Sequence, residues 1–177
     1  AFAEEESHSI SSNTSWAVQK RFEKGTYKYS NAPYGYILEN GSLAIDPQRA
    51  PVIRSIFDQV LDGYGTPTIA KTLNDRGIST GTKKRDGTPN AWTPSMVQGI
   101  VSNVVYAGDA LFQKTYHTAD FKRVTNRGER KRFYIKEHHP AIIDRETFEL
   151  AQLSNRQRGK EKNTYSIELS PEAGASH

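Results

Sequence analysis

The chain has no cysteine and a single methionine among its 177 residues. Disulfides and thiolate zinc ligation are therefore closed to it, and cysteine-free composition is compatible with the cytoplasm. No apolar run approaches a membrane span and no signal peptide is visible, so a membrane is not an expected partner. Histidine is scarce as well, with five in the chain. His138 and His139 are adjacent, and neighbours on an extended strand point apart. A metal site is accordingly not expected, and no cofactor is assigned. Gly-rich phosphate loops after a strand are missing too, and no nucleophile and base stand together in a recognisable motif, so no catalytic residue is assigned. The run Glu4-Glu5-Glu6 reads as a solvated face.

Charge of either sign is nearly balanced, with 24 Lys/Arg against 20 Asp/Glu and a pI near 9.2. The small excess is concentrated. Residues 1–65 carry 6 Lys/Arg and 8 Asp/Glu, residues 66–137 carry 13 and 6, and residues 138–177 carry 5 and 6. A basic region of this kind is the electrostatic footprint of a polyanion. It is equally the mark of a Lys/Arg-rich solvated surface, and charge alone does not separate the two.

Along the chain, residues 1–25 read as one helix stopped by Gly25. Ile10, Thr14, Ala17, Val18 and Arg21 share a face too narrow for full burial, so the helix is expected to project. Lys20, Arg21, Lys24 and Lys28 gather at its C-terminal end, where they suit the helix dipole and would also suit phosphate. Residues 26–45 read as a linker and a short hairpin, with Asn40-Gly41 turning between Tyr36-Ile37-Leu38 and Leu43-Ala44-Ile45. Asp46-Pro47 opens an amphipathic helix with Ala50, Ile53, Phe57, Val60 and Leu61 inward.

The same start signal then occurs twice, Thr66-Pro67 and Thr93-Pro94, a capping hydroxyl before a proline suited to the first helical position. Ile69, Ala70 and Leu73 follow the first, with Gly77 as a stop. Val97, Ile100, Val101 and Val104 follow the second. Two helices at roughly 67–76 and 94–103 make a helix-turn-helix candidate. Their connection, Ser79 to Trp92, is far longer than the usual turn. It carries Lys83-Lys84-Arg85, and Trp92 is expected to plug the core over the second helix. Opposite the apolar stripe that helix shows Ser95, Gln98, Gly99 and Ser102, with Thr93 at its head. Small polar side chains let a helix backbone approach base edges in the major groove, and Gln98 is suited to adenine. An ordinary exposed face is the alternative. The helix holds no Lys or Arg, so affinity would have to come from flanking segments.

Residues 104–137 read as two antiparallel strands, around Ala110-Leu111-Phe112-Gln113 and Arg132-Phe133-Tyr134-Ile135. Between them lies a basic turn carrying Lys122, Arg123, Arg130, Lys131 and Arg132. A hairpin following a helix pair would be a wing. Asp144 is expected to cap a last helix with Phe148, Leu150, Ala151 and Leu153 inward, and the chain to fray from Asn155. The expected fold is α+β: a mainly helical, helix-turn-helix or winged-helix-like domain at 46–158 with small β-hairpins, a projecting long helix at 1–25 before it and a flexible tail at 159–177. Both ends read as those of a piece of a longer protein.

Glu6-Ser7-His8-Ser9-Ile10-Ser11, Trp16, Gly25 and Pro33-Tyr34-Gly35-Tyr36 occur in that order. Ile45-Asp46-Pro47, Val52-Ile53-Arg54-Ser55-Ile56-Phe57, Gly63, Ile69-Ala70, Leu73-Asn74 and Gly77-Ile78 continue the succession. Trp92, Val97, Ile100, Asn103, Tyr106, Gly108 and His139-Pro140-Ala141-Ile142-Ile143 complete it. This resembles the connecting helix and recombinase domain of large serine recombinases, a family that includes phage integrases and mobile-element recombinases. The resemblance covers roughly residues 5–153. It implies an N-terminal resolvase-like domain with a nucleophilic serine, a zinc ribbon with cysteines, phosphoserine-linked cutting and rejoining of DNA, a dimer on each site and a tetramer in synapsis. The serine domain, apart from its last helix, and the zinc-ribbon cysteines have no counterpart here, and Ser7, Ser9, Ser11 and Ser12 do not match the nucleophile's motif. What carries over is binding of double-stranded DNA at an attachment half-site, by a piece that could be monomeric alone. Two readings stay open beside it, a free-standing winged-helix regulator and a metal-dependent nuclease using His138 or His139.

Overall fold

A computed structural model describes the chain over residues 16–168, with side-chain surroundings over 16–160. The chain forms two compact units. The first takes the chain up to Ala50 together with Val104–Ile142, and the second takes Pro51–Asn103 and the chain from Ile143. Helices and short antiparallel strands are both present, so the mixed α+β composition expected from the sequence is found.

In the first unit, helix α1 occupies residues 16–24 of the described chain. Its end closes on Gly25, with Gly25 N–H donating to Phe22 O at 3.2 Å and Thr26 N–H to Arg21 O at 3.0 Å. The described part does not stand free. Phe22 stacks on Phe112 at 5.1 Å between ring centres, and together with Tyr27 and Tyr29 it packs on Ala110, Phe112 and Phe133. Packing therefore turns on an aromatic residue outside the expected stripe. Arg21 is exposed, and Ile10 and Thr14 lie outside the described residues.

Strands β1 (Tyr36–Glu39) and β2 (Ser42–Ile45) pair as the expected hairpin, Tyr36 opposite Ile45 and Glu39 opposite Ser42. Asn40 and Gly41 both take left-handed φ, 53° and 81°, as a two-residue turn between twisted strands requires. A side chain at Gly41 would also collide with the Lys28 stem, which lies 2.7 Å from where its Cβ would stand. Tyr36 is 1% exposed, and its hydroxyl sits 3.0 Å from Val105 O and 2.8 Å from Pro140 O. Tyr106, in the short 3-10 turn Val104–Ala107, donates to Tyr34 O at 2.9 Å. Burial pushes the pKa of both hydroxyls up, so they serve as permanent donors.

The rest of this unit is a nested ribbon. Strand β3 (Ala110–Phe112) pairs with β6 (Phe133–Ile135), and inside that pair β4 (Thr115–His117) pairs with β5 (Arg123–Thr125). The outer pair matches the two strands read from the sequence. The inner pair does not, because Thr-Tyr-His and Arg-Val-Thr carry no apolar alternation, and Arg123 is a strand residue rather than part of a turn.

Asp46 closes a turn over residues 47–49, its carboxylate accepting from Gln48 N–H at 2.9 Å and Arg49 N–H at 3.3 Å, so helix α2 (Ala50–Leu61) starts three residues later than Asp46-Pro47 suggests and carries the chain into the second unit. Ile53, Ile56, Phe57 and Val60 are buried, but Leu61 is 40% exposed. Leu61 ends the helix, one step past the buried stripe. Helix α3 spans Thr66–Asp75 and helix α4 Pro94–Val101. The two start signals differ in use. Thr93 caps α4, its side chain accepting from Met96 N–H at 3.2 Å. Thr66 lies inside α3, and Gly65 takes the cap position without a side-chain bond. Val97, Ile100 and Val101 are buried as expected, whereas Val104 has left the helix for the 3-10 turn.

Helix α5 runs Arg145–Glu168, opened by Asp144, which accepts from Thr147 N–H at 2.9 Å. Phe148 and Ala151 face inward, but Leu150 and Leu153 are 47% and 52% exposed. Fraying at Asn155 is not observed. Ser154 Oγ donates to Val60 O at 3.3 Å and Arg158 to the same oxygen at 2.6 Å, tying this stretch to the end of α2. The tail beyond Glu168 lies outside the described residues.

Candidate nucleic-acid interface

The side chains singled out from the sequence divide between the two units, and every one of them is exposed. Thr93, Ser95, Gln98, Ser102, Lys83, Lys84 and Arg85 belong to the second. Lys20, Arg21, Lys24, Lys28, Lys122, Arg123, Arg130, Lys131 and Arg132 belong to the first.

In the second unit, Trp92 fixes where α4 starts. Its ring is 4% exposed, its Nε1–H donates to Ile78 O at 2.9 Å, and its backbone is held by both ends of the Asn74 amide at 2.8 and 2.9 Å. The expected plug is thus present, and it ties the start of α4 to the end of α3. Between them the chain forms a small exposed hairpin, bridged Lys83 to Pro89 and turned by Lys84 N–H to Thr88 O at 2.8 Å. Among the described residues, no salt bridge involves Lys83, Lys84 or Arg85. The outer face of α4 is thin. Around Gly99 an added Cβ would meet nothing within 4 Å. Ser102 spends its hydroxyl on its own helix, donating to Gln98 O at 2.8 Å, while the Gln98 side chain stays exposed.

In the first unit, docking of Phe22 brings the C-terminal turn of α1 beside the ribbon. Lys20 pairs with Glu23 at 2.9 Å, which holds that carboxyl below its usual range, and Lys131 stands 4.0 Å from the same carboxylate. The Arg130 guanidinium lies 4.6 Å over the Tyr116 ring. Arg123 Nε–H donates to Thr115 Oγ1 at 3.0 Å, and Lys122 pairs with Asp120 at 2.8 Å. Residues 113–132 carry seven Lys/Arg and two Asp/Glu.

Sequence reasoning missed the residue that organises this segment. Asn126 is 2% exposed. Its amide donates to Gln113 O at 2.8 Å and Arg130 O at 2.7 Å. Its Oδ1 accepts from Gly128 and Arg130 N–H, both at 3.1 Å. One buried side chain thereby closes the loop that presents Arg127, Arg130 and Lys131. Asp109 is also wholly buried, accepting from Glu137 N–H at 3.0 Å and from the Tyr134 hydroxyl. A lone Asn or Asp among polar neighbours gives no periodic signal, so neither stands out in the sequence.

The two histidines also differ from expectation. They lie in a turn after Glu137, whose φ is +51°, not on a strand. Their rings meet, Nδ1 to Nδ1 at 3.1 Å, with His138 Nε2 on Gly25 O at 3.1 Å and His139 Nε2 on Val105 O at 2.6 Å. They tie the α1 terminus and the 3-10 turn to one point. Gly108 makes room for that turn: its φ is +85°, and a Cβ there would stand 2.8 Å from His139 O. Burial pushes the His139 pKa down. Among the described residues, no group of three or more His, Cys, Asp or Glu could hold a metal ion. No described helix is long and apolar enough to cross a membrane.

Comparison with known proteins agrees with this architecture. The Recombinase family model matches residues 47–158, more than half of the chain. The chain belongs to the Recombinase family. Its fold is similar to a crystal structure of an LSR–DNA complex, with a TM-score of 0.52, 21% identity, and coverage of 84% of this chain and 39% of that one. It is also similar to a structure from work on the sequence requirements of the Listeria innocua prophage attP site, with a TM-score of 0.55 and 19% identity. That match covers 92% of this chain and 57% of the other. The chain thus spans 39% and 57% of the length of these two relatives.

Proposed function

We propose that this chain holds double-stranded DNA at an attachment half-site as the DNA-binding part of a serine site-specific recombinase. The observation that carries the reading is the exposure of every candidate cation in both units, together with an uncharged α4 face that is open at Gly99. Phosphate contacts position a protein on a duplex, and base edges specify the sequence. The ribbon, the end of α1 and the loop carrying Lys83, Lys84 and Arg85 supply the first kind of contact, and α4, as the second helix of a helix-turn-helix, supplies the second. Because ribbon and helix pair fall in different compact units, two contact elements suit the molecule better than one winged helix. Cutting and rejoining are assigned to no residue of this chain.

The test is binding to a randomised duplex pool across a salt series. Replacing Lys83, Lys84 and Arg85 with Ala should weaken specific and random DNA alike, lowering the log–log salt slope by about 0.9 for each phosphate no longer neutralised. Gln98→Ala should keep the slope and flatten the preference at one base pair, by about 1–3 kcal/mol of discrimination. A triple variant with the original slope and affinity makes the loop a solvated surface. An unchanged preference in Gln98→Ala removes α4 from direct readout.

A further inference from the structure

The β4–β5 hairpin ends in an aromatic side chain that touches almost nothing. Phe121 is 87% exposed, the most exposed large hydrophobic among the described residues. Its backbone is also unusual, with φ at +59°, where a bulky side chain is a genuine outlier and glycine or asparagine would be expected. The turn holds it there. Phe121 N–H donates to Thr118 O and Thr118 N–H to Lys122 O, both at 2.9 Å, while Asp120 takes the Thr118 hydroxyl and the Lys122 ammonium. The chain thus carries two unfavourable features at one position, an apolar ring in water and a disfavoured backbone. The turn's own bonds hold the backbone, but nothing within the hairpin offsets the bare ring.

The surroundings indicate what does. Phe121 is followed directly by Lys122 and Arg123, and Arg130 lies over Tyr116 one strand pair away. At this end of the hairpin His117, Thr118 and Asp120 are polar and Ala119 adds only a methyl group, so no extended apolar face accompanies the ring. A single ring is too little apolar surface to hold a membrane, but it is the usual size of a wedge between base pairs, delivered by a cationic arm. We propose that Phe121 is such a wedge, entering the minor groove of duplex DNA and partly unstacking one base step while Lys122 and Arg123 meet the flanking phosphates. This rests on the DNA-binding reading above and adds a deformation of the duplex to it.

The experiment uses the 177-residue chain and a 40-base-pair duplex, selected from a randomised pool by the wild-type protein and labelled at both ends for energy transfer. Wild type should shorten the end-to-end distance. Phe121→Ala should abolish the shortening and weaken binding about tenfold, the order lost with one base-stacked aromatic, at an unchanged salt slope. Phe121→Trp should restore the bend. Phe121→Gly relieves the backbone and should melt no lower than wild type while losing the bend, which separates the wedge from folding. Wild-type bend and affinity in Phe121→Ala overturn the wedge and leave the DNA-binding reading standing. Failure of wild type to bind any duplex in the pool overturns both. Loss of binding to phosphatidylserine vesicles in Phe121→Ala, with DNA bending intact, overturns the wedge in favour of a membrane contact.

Discussion

The two compact units solve the same problem with different materials. The second is held by an aliphatic core, Ile53, Ile56, Val60, Ile69, Leu73, Val97 and Val101 among others, in helices whose polar faces are exposed. The first is held largely by rings and buried polar groups. The Tyr36 and Tyr106 hydroxyls, Asp109 and the two histidines each reach a backbone or side-chain group far along the chain, and Asn126 closes its own loop. Apolar burial is non-directional and tolerates drift. A buried hydrogen bond network fixes geometry, because each unpaired group costs the desolvation it has already undergone. That contrast suits the proposed roles. A reading helix needs only a firm seat, whereas a short three-residue ribbon presenting cations needs its loops locked from within.

The comparison is broken most severely at Trp92. Trp92→Ala removes a buried ring together with its bond to Ile78, and should destabilise the helical unit by about 3–5 kcal/mol. Calorimetry and residue-resolved amide exchange check it. The expected pattern is loss of protection in α3 and α4 with the Tyr36 hairpin and the ribbon retained. Equal loss in both units would mean that they unfold as one and that the contrast is architectural only.

The units also differ in what acid does to them. His139 has its pKa depressed by burial, so as pH falls below the unfolded value of 6.5 the unfolded chain takes up the proton first. Stability present above pH 6.5 is therefore lost on acidification. The described residues of the helical unit contain no histidine. Its shifted helix-capping carboxyl is Asp144, held below the usual 3.8 by bonds from Thr147. That cap contributes above pH 3.8 and is lost only as pH falls further. Between pH 7 and 5 the ribbon unit should soften while the helical unit holds, as read from exchange rates across a pH series corrected for intrinsic exchange. His139→Gln should flatten the ribbon's dependence. Parallel softening of both units in that window would count against the His139 assignment.

What the sequence makes legible follows the same divide. Helical periodicity locates α3 and α4 to within about two residues and α2 with a start three residues early, and Asn40-Gly41 locates the first hairpin, because each depends on neighbours three or four positions apart or on one turn. The seat of α1 is not legible, since Phe22 meets Phe112 and Phe133, ninety or more positions away. The ribbon's inner pair lacks alternation, and Asn126 and Asp109 look like surface residues until their partners are placed. Exposure of the cations is legible from their charge. Phe121 escapes sequence reasoning because one aromatic in a basic stretch resembles a strand residue, and only its φ and its bareness distinguish it.

The smallest effect tests the thin face of α4. Gly99 sits mid-helix, where glycine costs about 1 kcal/mol relative to alanine, and its surroundings are open, so an added methyl meets no obstacle within the protein. On stability alone the residue is a poor choice. Gly99→Ala should therefore stabilise the helical unit by up to about 1 kcal/mol, raising its melting temperature by a few degrees. If the backbone of α4 approaches a duplex closely at this point, the same methyl stands in the way, and affinity should fall even as stability rises, with the salt slope unchanged because every phosphate keeps its cation. Opposite signs in one variant cannot arise from a folding defect. A Gly99→Ala protein that is more stable and binds as well as wild type would show that nothing comes close to this face. Sequence preference would then have to be sought in the ribbon, making the polar-cored unit the reader and the helical unit its support.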